Sequence, residues 1–344
     1  TKLTVGRVQT PTLAMIVQRQ QAISSFKSEP YFELEGTFGT VKAKWSSGEI
    51  DHLKTQSEAE DIVIRLAKKL GTITKLDTQP KSQERPLLFD LTELQREANR
   101  RFGYTAQETL DIAQSLYGTH KLTTYPRTDS RHLTHDMQGQ LPELLQLISA
   151  AYPNSQPYID KILAQGINVD RRVIDDSKVS DHHAIIITKR LAQYDLTKLN
   201  DKERNVLILI MVRFICALTS KKTYEETQLE ITMQDSPDDK FSATGRHVLD
   251  EGWTWIEKAL LGSGEDKDDD DVSTLLLPPD LQLDQTLLLE ALEIHSKKTI
   301  PPKPYTEATL LTAMENASRQ LDDKQLKETL KASGALGTPA TRAS

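Results

Sequence analysis

The 344-residue chain contains a single cysteine, Cys216, which rules out internal disulfides and suits a reducing cytosol. It has no run of about 18 apolar residues, so no helical membrane span is expected. Its longest apolar clusters, such as 206–211 and 287–289, are of a length that fits a buried core. Basic residues are not in excess: 43 Lys and Arg against 50 Asp and Glu leave a net charge of -7, too acidic for a protein that coats nucleic acid non-specifically. That balance still permits a groove in which basic residues are concentrated. The chain also lacks a Walker loop, a Gly-x-Gly-x-x-Gly turn and a Gly-x-Ser-x-Gly elbow, which disfavours ATP use, dinucleotide binding and serine-hydrolase chemistry. It starts at Thr1 without a methionine or a signal peptide and stops at Ser344 without a closing element, so a piece of a longer protein is expected.

What is present is an ordinary globular composition, 37% apolar and 27% charged, with room for two or three domains. The acidic run 264–271 lacks apolar anchors and reads as a solvated loop rather than a metal site. A helix is predicted from Pro11 through Val17. A hairpin follows, its strands 32–38 and 41–45 joined by Gly39-Thr40. Ser57-Glu58-Ala59-Glu60 fits a capping box, for a helix closed by Gly71 and followed by a strand over 72–76. The polar, proline-flanked stretch 80–86 reads as a linker. Helical spacing then covers 91–102, ended by Gly103, and the segment capped by Thr105-Ala106-Gln107-Glu108 and stopped at Gly118. Helices are predicted over 136–148 and 201–218 and from about Thr306 to Ala317, a loop over 152–157, and a return of strands near Leu229, Ile231 and Met233. The order suggests a helical domain inserted in a β-rich one, with the two chain ends meeting in a third piece.

Four segments could carry chemistry. In Thr124-Tyr125-Pro126-Arg127-Thr128-Asp129-Ser130 a phenol lies two residues from an arginine, just after a helix. A free phenol, with a pKa of about 10, is a poor nucleophile at neutral pH. A neighbouring cation favours the phenolate and offsets charge on an attacked phosphate, and a guanidinium fork matches two phosphate oxygens. Taken alone, the pattern reads as readily as a buried tyrosine beside a surface arginine. Thr4-Val5-Gly6-Arg7-Val8-Gln9-Thr10-Pro11, ahead of a helix start, is either a phosphate site or an ordinary capped helix. Asp181-His182-His183 offers one hydrogen-bonding or acid–base histidine, or a structural one, rather than a metal site, because neither cysteines nor a second histidine pair accompany it. Gly337-Thr338-Pro339-Ala340-Thr341-Arg342 is another polar turn before a helix.

Together these segments resemble the type IA DNA topoisomerases. So do Leu88-Phe89-Asp90-Leu91-Thr92 and Arg101-Phe102-Gly103-Tyr104, and all occur in the family's order across nearly the whole chain. The double histidine and the Thr-Pro-Ala-Thr-Arg-Ala ending are similar to the bacterial topoisomerase III branch. The resemblance implies an α+β multidomain toroid. Its parts would be a helical DNA-binding domain of 1–29 and 299–344, a β-rich arch of 30–84 and 222–298, and a helical domain of 85–221 carrying the tyrosine. It implies ATP-independent cleavage of one strand by Tyr125 through a 5′-phosphotyrosine, with Arg127 and His182 beside it. DNA contacts would come from Thr4, Arg7, Gln9, Thr341, His183, Asp129 and Ser130. The expected substrates are single-stranded and negatively supercoiled or catenated DNA, handled by a cytoplasmic, nucleoid-associated monomer. Mg²⁺ is implied, with its ligands in an N-terminal Toprim domain that this sequence lacks, so the chain alone is expected to be inactive. The alternatives are a non-catalytic single-strand-binding or scaffold module and, more remotely, a tyrosine recombinase, which would place its tyrosine late and on a helix.

Overall fold

The computed structural model describes residues 6, 8–262, 277–317, 336–338 and 341–342. Thr4, Arg7 and the acidic run 264–271 lie outside the described residues. The chain is α+β. It opens with α1 (Gln9–Ser25) and the hairpin β1 (Pro30–Phe38) and β2 (Val41–Ser47), which turns at Gly39-Thr40 as predicted. Helix α2 (Gln56–Leu66) and β3 (Leu70–Gln83) complete the first pass through the sheet. Then come α3 (Leu91–Phe102), α4 (Ala106–Gly118), α5 (Leu141–Ala151), α6 (Gln156–Gln165) and α7 (Asp201–Ala217). The chain returns through β4 (Lys222–Met233) and β5 (Ser236–Asp250), crosses α8 (Trp253–Leu261), adds β6 (Thr286–Leu288) and β7 (Ala291–Lys298), and reaches α9 (Glu307–Glu315). The strands form one antiparallel sheet in the order β6-β3-β4-β5-β2-β1-β7.

Three apolar clusters organise the described residues. Leu34, Phe38, Trp45, Ile73, Ile231 and Phe241 fill the core of the sheet. Leu94, Leu116, Leu145, Ile185, Val206 and Phe214 belong to the larger helical core. Met314, Ala317 and Leu336 close a small one with Val8, Met15 and Leu310, joining both chain ends. Helix α8 lies in the span expected to be β-rich, but its Ile256 is buried in the helical core.

Several local expectations are corrected. The capping box of α2 is Thr55 with Glu58, two residues before the predicted one. Gly71 is not the stop of that helix. The helix ends at Leu66, and Gly71 lies in β3, where a Cβ would come within 2.5 Å of Ile231 Cγ2. The predicted linker is largely strand, because β3 runs to Gln83 as a ladder on β4. The segment 136–148 divides into a 3-10 turn (His135–Gln140) and α5, and the predicted loop at 152–157 contains the start of α6.

Gly36 in β1 is under a similar constraint. A Cβ there would lie 2.6 Å from Phe241 Cε1 and 2.9 Å from Leu289 Cδ1, both of them buried side chains. Phe241 cannot yield easily, since it packs edge-on against Phe38 at 5.1 Å. Gly36→Ala is therefore expected to destabilise the sheet by about 1–3 kcal/mol, despite the entropy gained by removing a glycine from the unfolded chain. Urea unfolding, with a lowered midpoint and an unchanged slope, checks it.

Candidate functional site

The site begins where α4 ends. Thr105 and Glu108 cap its start reciprocally, as the sequence predicts. Past its end the chain reverses through Lys121, at φ 60°, and Leu122 N donates to Leu116 O at 2.8 Å. The next residues run against a buried extended segment, 184–187, through isolated bridges. Thr123 bridges Ile187, and Thr124 N donates to Ile186 O at 2.9 Å. The Thr124 hydroxyl donates to Ala184 O and accepts from Ile186 N, both at 3.0 Å. On the other side Ile185 N donates to Phe89 O at 2.8 Å. The burial of Ala184 to Ile187 fixes the histidines just before them against the tyrosine loop.

Tyr125 is half-buried between two rings. Tyr117, the penultimate residue of α4, meets it edge-on at 5.5 Å, and His182 lies tilted against it at 4.3 Å between centroids. The Thr128 hydroxyl donates to His182 O at 2.9 Å and ties the far side of the loop to the residues just before that segment. Arg127 is exposed but held. With the Gln114 amide turned so that its oxygen faces the guanidinium, Nε and Nη2 donate to that oxygen at 3.0 and 2.6 Å. Gln114 and Tyr117, three residues apart on α4, thus support Arg127 and Tyr125 from one helix face.

The other predicted residues divide. Asp129 is exposed beside Arg127. His183 is half-buried, and its Nδ1 donates to Ala184 O at 2.8 Å. Ser130 departs from its expected role as a DNA contact. It is 4% exposed, and its hydroxyl donates to Lys178 O at 2.8 Å and accepts from His132 N at 3.2 Å, which makes it an internal brace of the loop.

Gln9 and Thr341 are exposed on two turns that pack together. Gly337, at φ 74°, lies so close to Val8 that a Cβ would come within 3.2 Å of its Cγ2. Thr338 caps the last short helical segment by accepting from Thr341 N at 3.3 Å. Arg342, for which the motifs alone suggested no separate role, links this end to the rest. Its Nη1 donates to Glu315 Oε1 at 2.8 Å and Thr92 Oγ1 at 3.2 Å, and its Nε to the Leu336 and Gly337 carbonyls. Thr92 is at the start of α3, where Leu91 N donates to Thr128 O at 3.2 Å. The first turn of α3 therefore joins the terminal turns to the Tyr125 loop.

Asp90 caps that turn, accepting from Glu93 N at 2.7 Å. Burial pushes its carboxyl up to about 6, against the pull of the Glu93 amide and Arg131. Among the described residues, the cluster of three potential metal ligands is Glu35, Glu293 and His295, on β1 and β7. It includes no residue of the Tyr125 loop, and Lys42 already pairs with Glu35 at 3.0 Å. The described residues around Tyr125 thus do not form a ligand set for the octahedral oxygen coordination that Mg²⁺ demands.

The fold is shared with the full-length topoisomerase I of Thermotoga maritima. The two superpose with a TM-score of 0.69 at 20% identity, over 100% of this chain and 50% of that one. The chain belongs to the DNA topoisomerase family, whose model matches residues 1–344. It is 40% identical to DNA topoisomerase 3 of Bacillus cereus (strain ATCC 14579) over 347 aligned residues and 39% identical to DNA topoisomerase 3 of Bacillus subtilis (strain 168) over 348. Each alignment covers 99% of this chain and 46% of the relative, so the chain spans about half the length of the curated relatives it matches. Among the described residues no helix is long and apolar enough to cross a membrane.

Proposed function

We propose that this chain is the strand-cleaving part of a type IA DNA topoisomerase of the topoisomerase III kind. The observation that carries the reading is the contact of Tyr125 with His182, beside an Arg127 that Gln114 holds in place. The Tyr125 Oη attacks a backbone phosphorus of single-stranded DNA. The P–O3′ bond breaks, the 3′ oxygen leaves as a hydroxyl by taking up a proton, and the 5′ phosphate stays on the tyrosine. One phosphodiester has been exchanged for another, so attack by the same 3′ hydroxyl reseals the strand without ATP. Between the two steps another strand passes, which relaxes negatively supercoiled DNA or unlinks catenated circles.

Arg127 neutralises the non-bridging oxygens as charge builds on them. His182, against the phenol ring, is placed to exchange a proton with the reacting oxygens. We assign the DNA contacts to Gln9, Thr341, His183 and Asp129, and to Thr4 and Arg7, which lie outside the described residues. The helical ends, the sheet and the central helical part act as three domains of a monomeric ring. Mg²⁺, when bound, supplies positive charge for the phosphate, and its ligands are placed outside the described residues.

The test uses the protein at the length of its Bacillus relatives, with negatively supercoiled plasmid, Mg²⁺ and no ATP. Stepwise relaxation is expected, and none from the 344-residue chain alone. Intact oligonucleotide binding without relaxation by the long form would favour a non-catalytic binding module instead. Gln114→Leu in the long form is expected to slow oligonucleotide cleavage roughly 10- to 100-fold, the loss of about one hydrogen bond to a charged group. Binding of the uncleaved strand should change less, and a rate equal to the parent's would exclude the positioning role.

A further inference from the structure

Away from Tyr125, a cavity of about 1260 Å³ opens between α3, α7, the ends of β4 and β5, α8 and α9. None of Tyr125, Arg127 and His182 lines it. Seven of its lining residues are Arg or Lys and four are Glu, a surplus of three positive charges in a chain of net charge -7. Most of these cations are held by partners: Lys222 pairs with Glu251 at 3.1 Å, and Arg246 with Glu226 at 3.0 Å. Lys258, exposed on α8, has no ion pair among the described residues.

Among the described residues, two buried donors in the wall lack an acceptor, the Arg96 Nε and the Trp253 Nε1. Native interiors rarely leave such groups unpaired, because a donor removed from water without a partner is costly. Trp255 adds an indole that is 50% exposed at the rim, its other contacts being Tyr158 edge-on at 4.9 Å and Lys161 at 5.7 Å. Surplus positive charge, unpaired donors and a half-exposed indole fit a ligand that carries both phosphates and flat bases.

We propose that this cavity is a second single-strand site, holding the phosphodiester backbone against Lys258, Arg96 and the Trp253 indole N–H while a base stacks on Trp255. That the ligand is nucleic acid rests on the function proposed above. The site also gives the acidic chain a place where basic residues are concentrated.

The test titrates a fluorescein-labelled oligothymidylate with the 344-residue chain and follows its anisotropy over a range of salt. Lys258→Glu is expected to weaken binding about 5- to 10-fold and to lower the slope of log affinity against log salt by about 0.7, one phosphate's worth for a single strand. Trp255→Ala is expected to weaken binding about 5- to 10-fold with little change of slope. Lys258 is exposed, so its variant should melt with the parent, while Trp255→Ala gives up the contact with Tyr158 and should melt a little lower but stay folded at the titration temperature. Parental affinity and slope in both variants overturn the site, as does displacement by polyglutamate as effective as by unlabelled oligothymidylate. Loss on Arg127→Ala with both cavity variants neutral removes the cavity but leaves the proposed function standing. Weaker binding in both cavity variants, alongside a long form that neither relaxes plasmid nor forms an adduct, supports the cavity and sinks the proposed function.

Discussion

Tyr125→Phe, in the protein at its relatives' length, is expected to lower oligonucleotide cleavage by roughly 10⁴-fold or more, the scale on which a covalent nucleophile's removal is felt. The substitution deletes one oxygen and keeps the ring. Its edge-on contact with Tyr117 and its tilted contact with His182 should persist, because both are made by the ring. Thr124 and Thr128 on either side stay tied to the backbone of His182, Ala184 and Ile186, so the loop should hold its shape. Single-strand affinity is therefore expected to stay within about twofold, since a lost neutral hydrogen bond is worth little net. Arg127→Ala should show the opposite emphasis, with weaker binding as well as slower cleavage, because a guanidinium serves the phosphate in both states. Cleavage of a 5′-labelled oligonucleotide by the Phe variant within tenfold of the parent would remove Tyr125 from the chemistry.

The second large effect concerns stability and pH. Asp90 has its carboxyl pushed up to about 6 by burial, from an ordinary value of 3.8. A group whose folded pKa is raised stabilises the fold fully when protonated, below the unfolded value, and loses that contribution as pH rises through the folded value. The window is therefore about pH 4 to 6. A shift of some two units corresponds to about 3 kcal/mol that the fold lacks above pH 6. An asparagine side chain at this position would keep an oxygen for the Glu93 amide, cap the helix about as well, and carry no charge. Asp90→Asn is thus expected to match the parent near pH 4 and to exceed it by up to about 3 kcal/mol at pH 7.5, measured by urea unfolding across that range. Stability curves that run parallel would contradict this. The position matters because the turn Asp90 caps also holds Thr128 and, through Thr92, Arg342. A buried carboxylate is thus maintained at some cost where the site's two halves meet.

Much of this was legible because the signals were local. The Gly39-Thr40 turn between alternating runs gave the hairpin, and the Thr105–Glu108 box gave the start of α4. The misses have physical causes. Two overlapping hydroxyl-x-x-Glu patterns precede α2, and spacing alone does not choose between Thr55 and Ser57. The outer part of β3 is exposed on both faces, so it lacks the alternation that betrays a half-buried strand and is held by its ladder to β4. The loop expected over 152–157 ends at Pro157, yet Pro157 lies in the first turn of α6, where its missing N–H is no loss. At the site, Tyr125 and His182 could be paired by the order of motifs, although 57 positions separate them. Gln114 could not be paired with Arg127 in that way. Its role depends on the turn at Lys121, which folds the loop back over the α4 face, and no residue pattern encodes that return. Ser130 was misplaced for a related reason, since a hydroxyl in a polar motif does not disclose that it is buried.

The most direct measurement of the central claim is the identity of the covalent bond. The long form is mixed with single-stranded DNA and Mg²⁺, denatured during turnover and digested with protease and nuclease. Mass spectrometry then locates the nucleotide. The account predicts a 5′-phosphate ester on the peptide that carries Tyr125, with a free 3′ hydroxyl on the released strand. An adduct on any other residue, a 3′-phosphate linkage, or relaxation with no adduct at all would contradict it.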